Sequence, residues 1–172
     1  MLRAICLLLL NLVVPGVAIA DGTPPAGWRF PTETDYKEAW VEYRDRFPVP
    51  FHVSADFDGD GIVDHAWILI RREGSAFGLF VFFGSRKGNP HVVEVFAYNE
   101  CCAQFYALAL VSPGRHLTVC GRGGGGGECS PAQPKSVTLK YTGFEFITLG
   151  TASGLYYWSP TAKRFRSVPV AD

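Results

Sequence analysis

The sequence predicts an α+β fold, with one N-terminal amphipathic helix packed on an antiparallel β meander of about seven to nine strands. Three observations predict it. One aromatic stripe at helical spacing stands near the start, within "TETDYKEAWVEYRDRF". After residue 64 the chain turns to short runs rich in β-branched and aromatic residues, the signature of strands. The turns between those runs are too short for crossover helices, so neighbouring strands should pair antiparallel.

Pro24 to Pro31 reads as an extended lead-in. Thr32 or Thr34 can cap the helix that follows, with acids in its first turn. Tyr36, Trp40, Tyr43 and Phe47 recur at intervals of four, three and four, which places them on one helical face, and Pro48 and Pro50 end it. Such a stripe docks onto a sheet as core. "HAWILI", the turn "RREGSAFG" and "LFVFFG" read as a hairpin. "HVVEVFAY", "QFYALALV", "HLTVC", "SVTLKY", "FEFITL", "GLYYW" and "RFRSVPV" continue the strand list, separated by Gly88-Asn89-Pro90, Ser112-Pro113-Gly114, Thr142-Gly143 and Ser159-Pro160.

Residues 54–67, "SADFDGDGIVDHAW", crowd Asp56, Asp58, Asp60 and Asp64 into nine positions. Counting from Asp56, carboxylates stand at positions 1, 3, 5 and 9, with Gly61 at position 6. A loop wrapping a hard cation needs oxygens at alternate positions and a glycine where the backbone turns sharply. Ile62 would contribute its carbonyl. Trp67 occupies position 12, where an EF-hand places its bidentate glutamate, so Asp64 would close the shell instead. Like charges held this close destabilise a turn unless something neutralises them. Oxygen-only donors point to Ca2+.

D-x-D-x-D-G-x-x-D followed by an apolar strand resembles the calcium loop of FG-GAP/VCBS-type repeats, known from integrin-like propeller blades. The resemblance covers about a dozen residues and occurs once, so no propeller is implied. It implies a loop joining two strands and binding calcium through Asp56, Asp58, Asp60, the Ile62 backbone and Asp64. The C-terminal half, with "VCGRGGGGGECS" and "GLYYWSPTAKRFRSVPVAD", is similar to small exported bacterial proteins.

Residues 1–20 read as an export signal: a basic start at Arg3, an apolar run from Ala4 to Val14, and Ala18-Ile19-Ala20 before the cut. Residues 21–172 then form a single globular domain without a membrane span, secreted or periplasmic. The 16 basic and 16 acidic residues leave the chain near neutral, with no basic stripe for nucleic acid. Cys101, Cys102, Cys120 and Cys129 remain after export, and an even count there favours two disulfides. Because a bond between neighbours is strained, Cys101 and Cys102 are each expected to pair with Cys120 or Cys129. "GRGGGGGEC" contains G-x-G-x-x-G but lies between cysteines and runs into Ser130-Pro131, so it reads as a disulfide-bounded loop and not a dinucleotide site. His52, His65, His91 and His116 fit strand-end or surface roles.

These features favour an exported, calcium-binding, non-catalytic module that binds another macromolecule of the cell envelope, as an inhibitor or immunity protein does. One alternative is a secreted metal-dependent hydrolase built on His52, His65 and the aspartates. A structural envelope component is another.

Overall fold

The computed structural model describes residues 22–35, 37–86, 91–124, 129–130 and 132–171. The expected export signal lies outside the described residues. Among the described residues the elements are eleven strands, two single-turn α-helices and two short 3-10 turns. The strands exceed the seven to nine expected because two short ones, Trp28–Arg29 and His52–Ala55, precede the strand-like runs. The first sheet holds β1 (Trp28–Arg29), β2 (His52–Ala55), β3 (Asp64–Arg71), β4 (Phe77–Phe83) and β5 (His91–Tyr98). β1 and β2 share one edge of β3, pairing Trp28 with Arg71 at one end and Ala55 with Asp64 at the other. β4 and β5 follow as a meander.

The second sheet runs β11 (Arg164–Ala171), β10 (Ser153–Ser159), β9 (Gly143–Thr148), β6 (Tyr106–Val111). Between β6 and β9 the chain leaves to form a separate hairpin, β7 (Gly114–Leu117) with β8 (Ser136–Leu139). All pairings are antiparallel. Pro169 sits in β11, an edge strand, where a missing N–H costs no interior ladder bond.

Alternation decides which side chains meet. Ala66, Ile68 and Ile70 of β3 face Leu108, Phe144 and Phe146 of the second sheet in one shared core. Trp67 and Leu69 face the other way, where Trp28, Phe80 and Phe82 cover them. Arg71 caps that layer, its guanidinium 4.2 Å from the Trp28 ring centre. Leu155, Val168 and Val170 form a third cluster with Leu139.

The long N-terminal helix is corrected. Only Glu33–Asp35 (3-10) and α1 (Ala39–Glu42) are helical, and Tyr36 lies outside the described residues. Local side chains divert the backbone. Asp35 is held by Arg29 at 2.7 and 2.8 Å and accepts from Thr32 N at 2.7 Å. Glu38 adopts a φ of 53°, outside the helical region. Trp40 still reaches the core, where its indole N–H donates to the Tyr106 carbonyl at 2.6 Å, and Phe47 is buried. Trp40 and Phe47 of the stripe are therefore core without sharing one helix. The strand expected at "HLTVC" ends early, because Thr118 caps α2 (Val119–Arg122) by accepting from Gly121 N.

Two disulfides are present, with a pairing other than expected. Cys101 bonds Cys102, Cα atoms 3.2 Å apart, and Cys120 bonds Cys129 at 5.5 Å. Each cysteine meets its nearest neighbour: the first pair lies in the turn after β5 beside Trp40, the second brackets the glycine run at α2. The Cys120–Cys129 bridge spans a sequence separation of 9 and should contribute about 2–3 kcal/mol, whereas adjacent cysteines close no loop. A non-reduced peptide map is expected to find Cys101 and Cys102 oxidised within one peptide. A peptide joining Cys101 or Cys102 to Cys120 would overturn this pairing.

Candidate metal centre

The aspartate run becomes the loop between β2 and β3, so both its ends are tied to one antiparallel pair. Within it, carboxylates take up backbone amides. Asp56 Oδ1 accepts from Gly59 N at 2.7 Å and Asp60 N at 3.1 Å, and its Oδ2 accepts from Gly61 N at 2.9 Å. Asp58 Oδ1 accepts from Asp60 N at 3.1 Å, and Asp60 Oδ1 from Ile62 N at 2.7 Å. Gly61 sits at φ 82°, a conformation that a side chain would strain, although the space beside it is open.

Asp64 opens β3 and is buried, 1% exposed. Its Oδ2 accepts from Phe57 N at 2.8 Å and its Oδ1 from Gly84 N at 2.9 Å, which ties the loop to the end of β4. Any side chain at position 84 would meet the Val63 carbonyl and the Ile62 side chain, so glycine permits this approach. Phe57, between two of the acids, is fully buried against Phe144 and Phe165, with ring centres 5.2 and 6.4 Å away. It pins the loop to the second sheet.

One ligand atom from each of Asp56, Asp58 and Asp64 falls within 4.8 Å of the others. Asp60 stands outside that group, its Oδ1 turned to the Ile62 amide. The structure therefore brings together three of the four carboxylates. Burial pushes the Asp64 carboxyl up to about 6, with Asp58 and Asp56 adding repulsion against the two amide bonds. Burial raises Asp58 too, and Asp60 and Asp56 add to the rise. Crowded carboxylates with lone pairs to spare are a donor set that fits a hard cation.

The histidines divide. His116 stands in β7 with Nε2 2.9 Å from the Ser112 carbonyl, and His91 stacks on Phe83. His52 and His65 converge: His52 Nε2 and His65 Nδ1 are 3.1 Å apart, and Ser54 Oγ lies 3.0 and 2.8 Å from them. Ser54 pairs directly with His65 across the two strands, and His52 pairs with Trp67, on which its ring stacks at 3.9 Å. Burial and the neighbouring His65 push His52 down to about 4. The Trp67 indole N–H is buried without a hydrogen-bond partner. Successive strand residues point to opposite faces, so His65 leaves β3 on the Trp67 side and Asp64 on the Phe57 side. The imidazoles and carboxylates do not share a cleft. Sequence reasoning missed Ser54, Phe57 and Gly84. Ser54 was readable only as the polar alternate residue after His52.

No family model, curated protein or solved structure gives a match to the chain.

Proposed function

We propose that this chain is an exported calcium-binding interaction module, secreted or periplasmic, that engages another macromolecule of the cell envelope without catalysing a reaction. The observation that carries the calcium reading is the meeting of Asp56, Asp58 and Asp64 within 4.8 Å on a loop tied at both ends. The cation would draw on those three carboxylates and the Ile62 carbonyl, with Asp60 joining by releasing the Ile62 amide. Two disulfides suit an oxidising compartment. No helix among the described residues is long and apolar enough to cross a membrane. The binding reading draws on exposed apolar side chains beside edge strands: Tyr98 ends β5, Phe105 precedes β6 and Leu110 lies in it.

Calcium-dependent capture tests the proposal. Immobilised wild type should retain an envelope protein or polymer in calcium and release it into chelator, and Asp58→Ala should retain none. Equal capture in both media would separate calcium from recognition and end this reading.

A second reading, the metal-dependent hydrolase, is favoured by the contact of Ser54 with two imidazoles. It needs the imidazoles and carboxylates in one cleft, and their opposite directions from β3 weigh against it. Ester, phosphoester or glycoside turnover that vanishes in His65→Ala would establish it over the binding module.

A further inference from the structure

We propose that His52, Ser54 and His65 form a second cation site, specific for a divalent transition-metal ion of the copper(II) class, on the sheet face opposite the carboxylate loop. Three donor atoms there lie within 3.1 Å of one another: His52 Nε2, His65 Nδ1 and Ser54 Oγ. They come from adjacent strands in fixed register, so the backbone holds the triangle without a flexible loop. The ring centres are 5.4 Å apart with planes 18° from parallel, so in the ion-free protein the nitrogens meet head-on through one N–H···N bond.

That bond needs only a small change to admit an ion. A cation about 2.0 Å from each nitrogen sets neighbouring nitrogens about 2.8 Å apart at the right angle of a tetragonal site and about 3.3 Å apart at a tetrahedral angle, on either side of the 3.1 Å already present. Each imidazole turns about its Cβ–Cγ bond so that both lone pairs aim at one point beside Ser54. The proton between the rings moves by tautomer exchange, leaving His52 protonated at Nδ1 and His65 at Nε2, so no net proton is lost. Ser54 supplies a third, weaker oxygen donor. Solvent completes the shell.

The donor chemistry separates the two sites. Imidazole nitrogens suit copper, zinc and nickel, and among these copper(II) binds a given nitrogen and oxygen set most tightly. Calcium takes oxygens only and has no use for this pair. Tetragonal copper(II) accepts two nitrogens with oxygens in the remaining positions.

Copper(II) titrated into the full chain, kept in calcium, should bind one equivalent and give an electron paramagnetic resonance spectrum with two imidazole nitrogens. His52→Gln and His65→Gln should each lose one nitrogen coupling and weaken binding roughly tenfold or more, since even residues that merely support a ligand cost that much. Asp58→Ala should leave the copper spectrum unchanged while calcium binding disappears, so this site can fail or stand apart from the calcium reading. Thermal melts confirm that each variant folds; if either Gln variant does not, Ser54→Ala should alter the hyperfine coupling with both nitrogens retained. A spectrum unchanged in both histidine variants would place copper at His91, His116 or the amino terminus and overturn the proposal. A spectrum lost in Asp58→Ala would do the same.

Discussion

Moving the protein from calcium into excess chelator is expected to lower its melting temperature by about 5–10 °C at neutral pH. The size follows from linkage: a ligand at a hundred times its dissociation constant stabilises the native state by about 2.7 kcal/mol, and a chain of this length shifts about 2–4 °C per kcal/mol. The pH dependence gives the sharper test. Without the ion, Asp64 holds its proton up to about 6, above the ordinary 3.8 of the unfolded chain. Between those values the native state binds more protons than the unfolded one, so ion-free stability falls as pH rises, by about 3 kcal/mol in all. Calcium bound there at a hundred times its dissociation constant should cancel that dependence, because about 2.7 kcal/mol is enough to bring the Asp64 carboxyl from about 6 down to near its ordinary unfolded value. The two melting curves should therefore coincide near pH 4 and separate progressively until about pH 6.

His52 titrates in the same range and in the opposite direction. Its folded value of about 4 lies below the ordinary 6.5, so the unfolded chain binds the extra proton and stability rises with pH. That contribution is common to both media and drops out of the difference between them. Asp58→Ala should collapse the difference at every pH. Wild-type curves that coincide at pH 7, with no heat of calcium binding by calorimetry, would leave the loop an acidic turn.

Much of this arrangement is legible in the sequence where the information is local. Eight of the nine strands from β3 onward announce themselves through their own runs of β-branched and aromatic residues and the turns between them. The exception is β7, Gly-Arg-His-Leu, which has neither residue type and shares only His116 and Leu117 with the run read as a strand. The carboxylate cluster is legible because its members lie within nine consecutive residues and a single loop folds them together. β1 and β2 escape because one spans two residues and the other four, each close to prolines that mask any pattern. The helix is overread because its aromatic spacing is helical while Asp35 and Glu38 answer to Arg29 and Gln104, partners outside the segment. The His52–Ser54–His65 triangle is illegible for a different reason. It depends on the register that sets Ser54 opposite His65, and slipping β2 by one residue would turn Ser54 to the other face. The cysteine pairing is not legible because the strain of an adjacent bond is a local property, whereas the placing of Cys101 and Cys102 in the turn after β5 beside Trp40, and of Cys120 at α2, is set by the fold.

Phe57→Ala is expected to cost about 3–5 kcal/mol, the range for truncating a fully buried aromatic ring. Phe57 is the residue that converts a surface loop into part of the core: its side chain packs between Phe144 and Phe165 while its amide donates to Asp64. The two roles act together. Removing the ring leaves a cavity at the junction of the sheets and frees the segment carrying Asp56 and Asp58 on either side, so calcium affinity should fall as well as stability. Asp58→Ala provides the contrast, because it removes a carboxylate of the cluster without touching the core. In chelator it should match or slightly exceed wild type in urea, having lost a repelling charge, whereas Phe57→Ala should unfold at a much lower urea concentration in either medium. Phe57→Leu should recover most of the stability and part of the calcium affinity, since it refills volume without restoring the edge-on ring contact. A Phe57→Ala midpoint within about 1 kcal/mol of wild type in chelator would mean that the loop is not anchored through this ring. The carboxylates would then depend on the Asp64 hydrogen bonds alone to hold their positions.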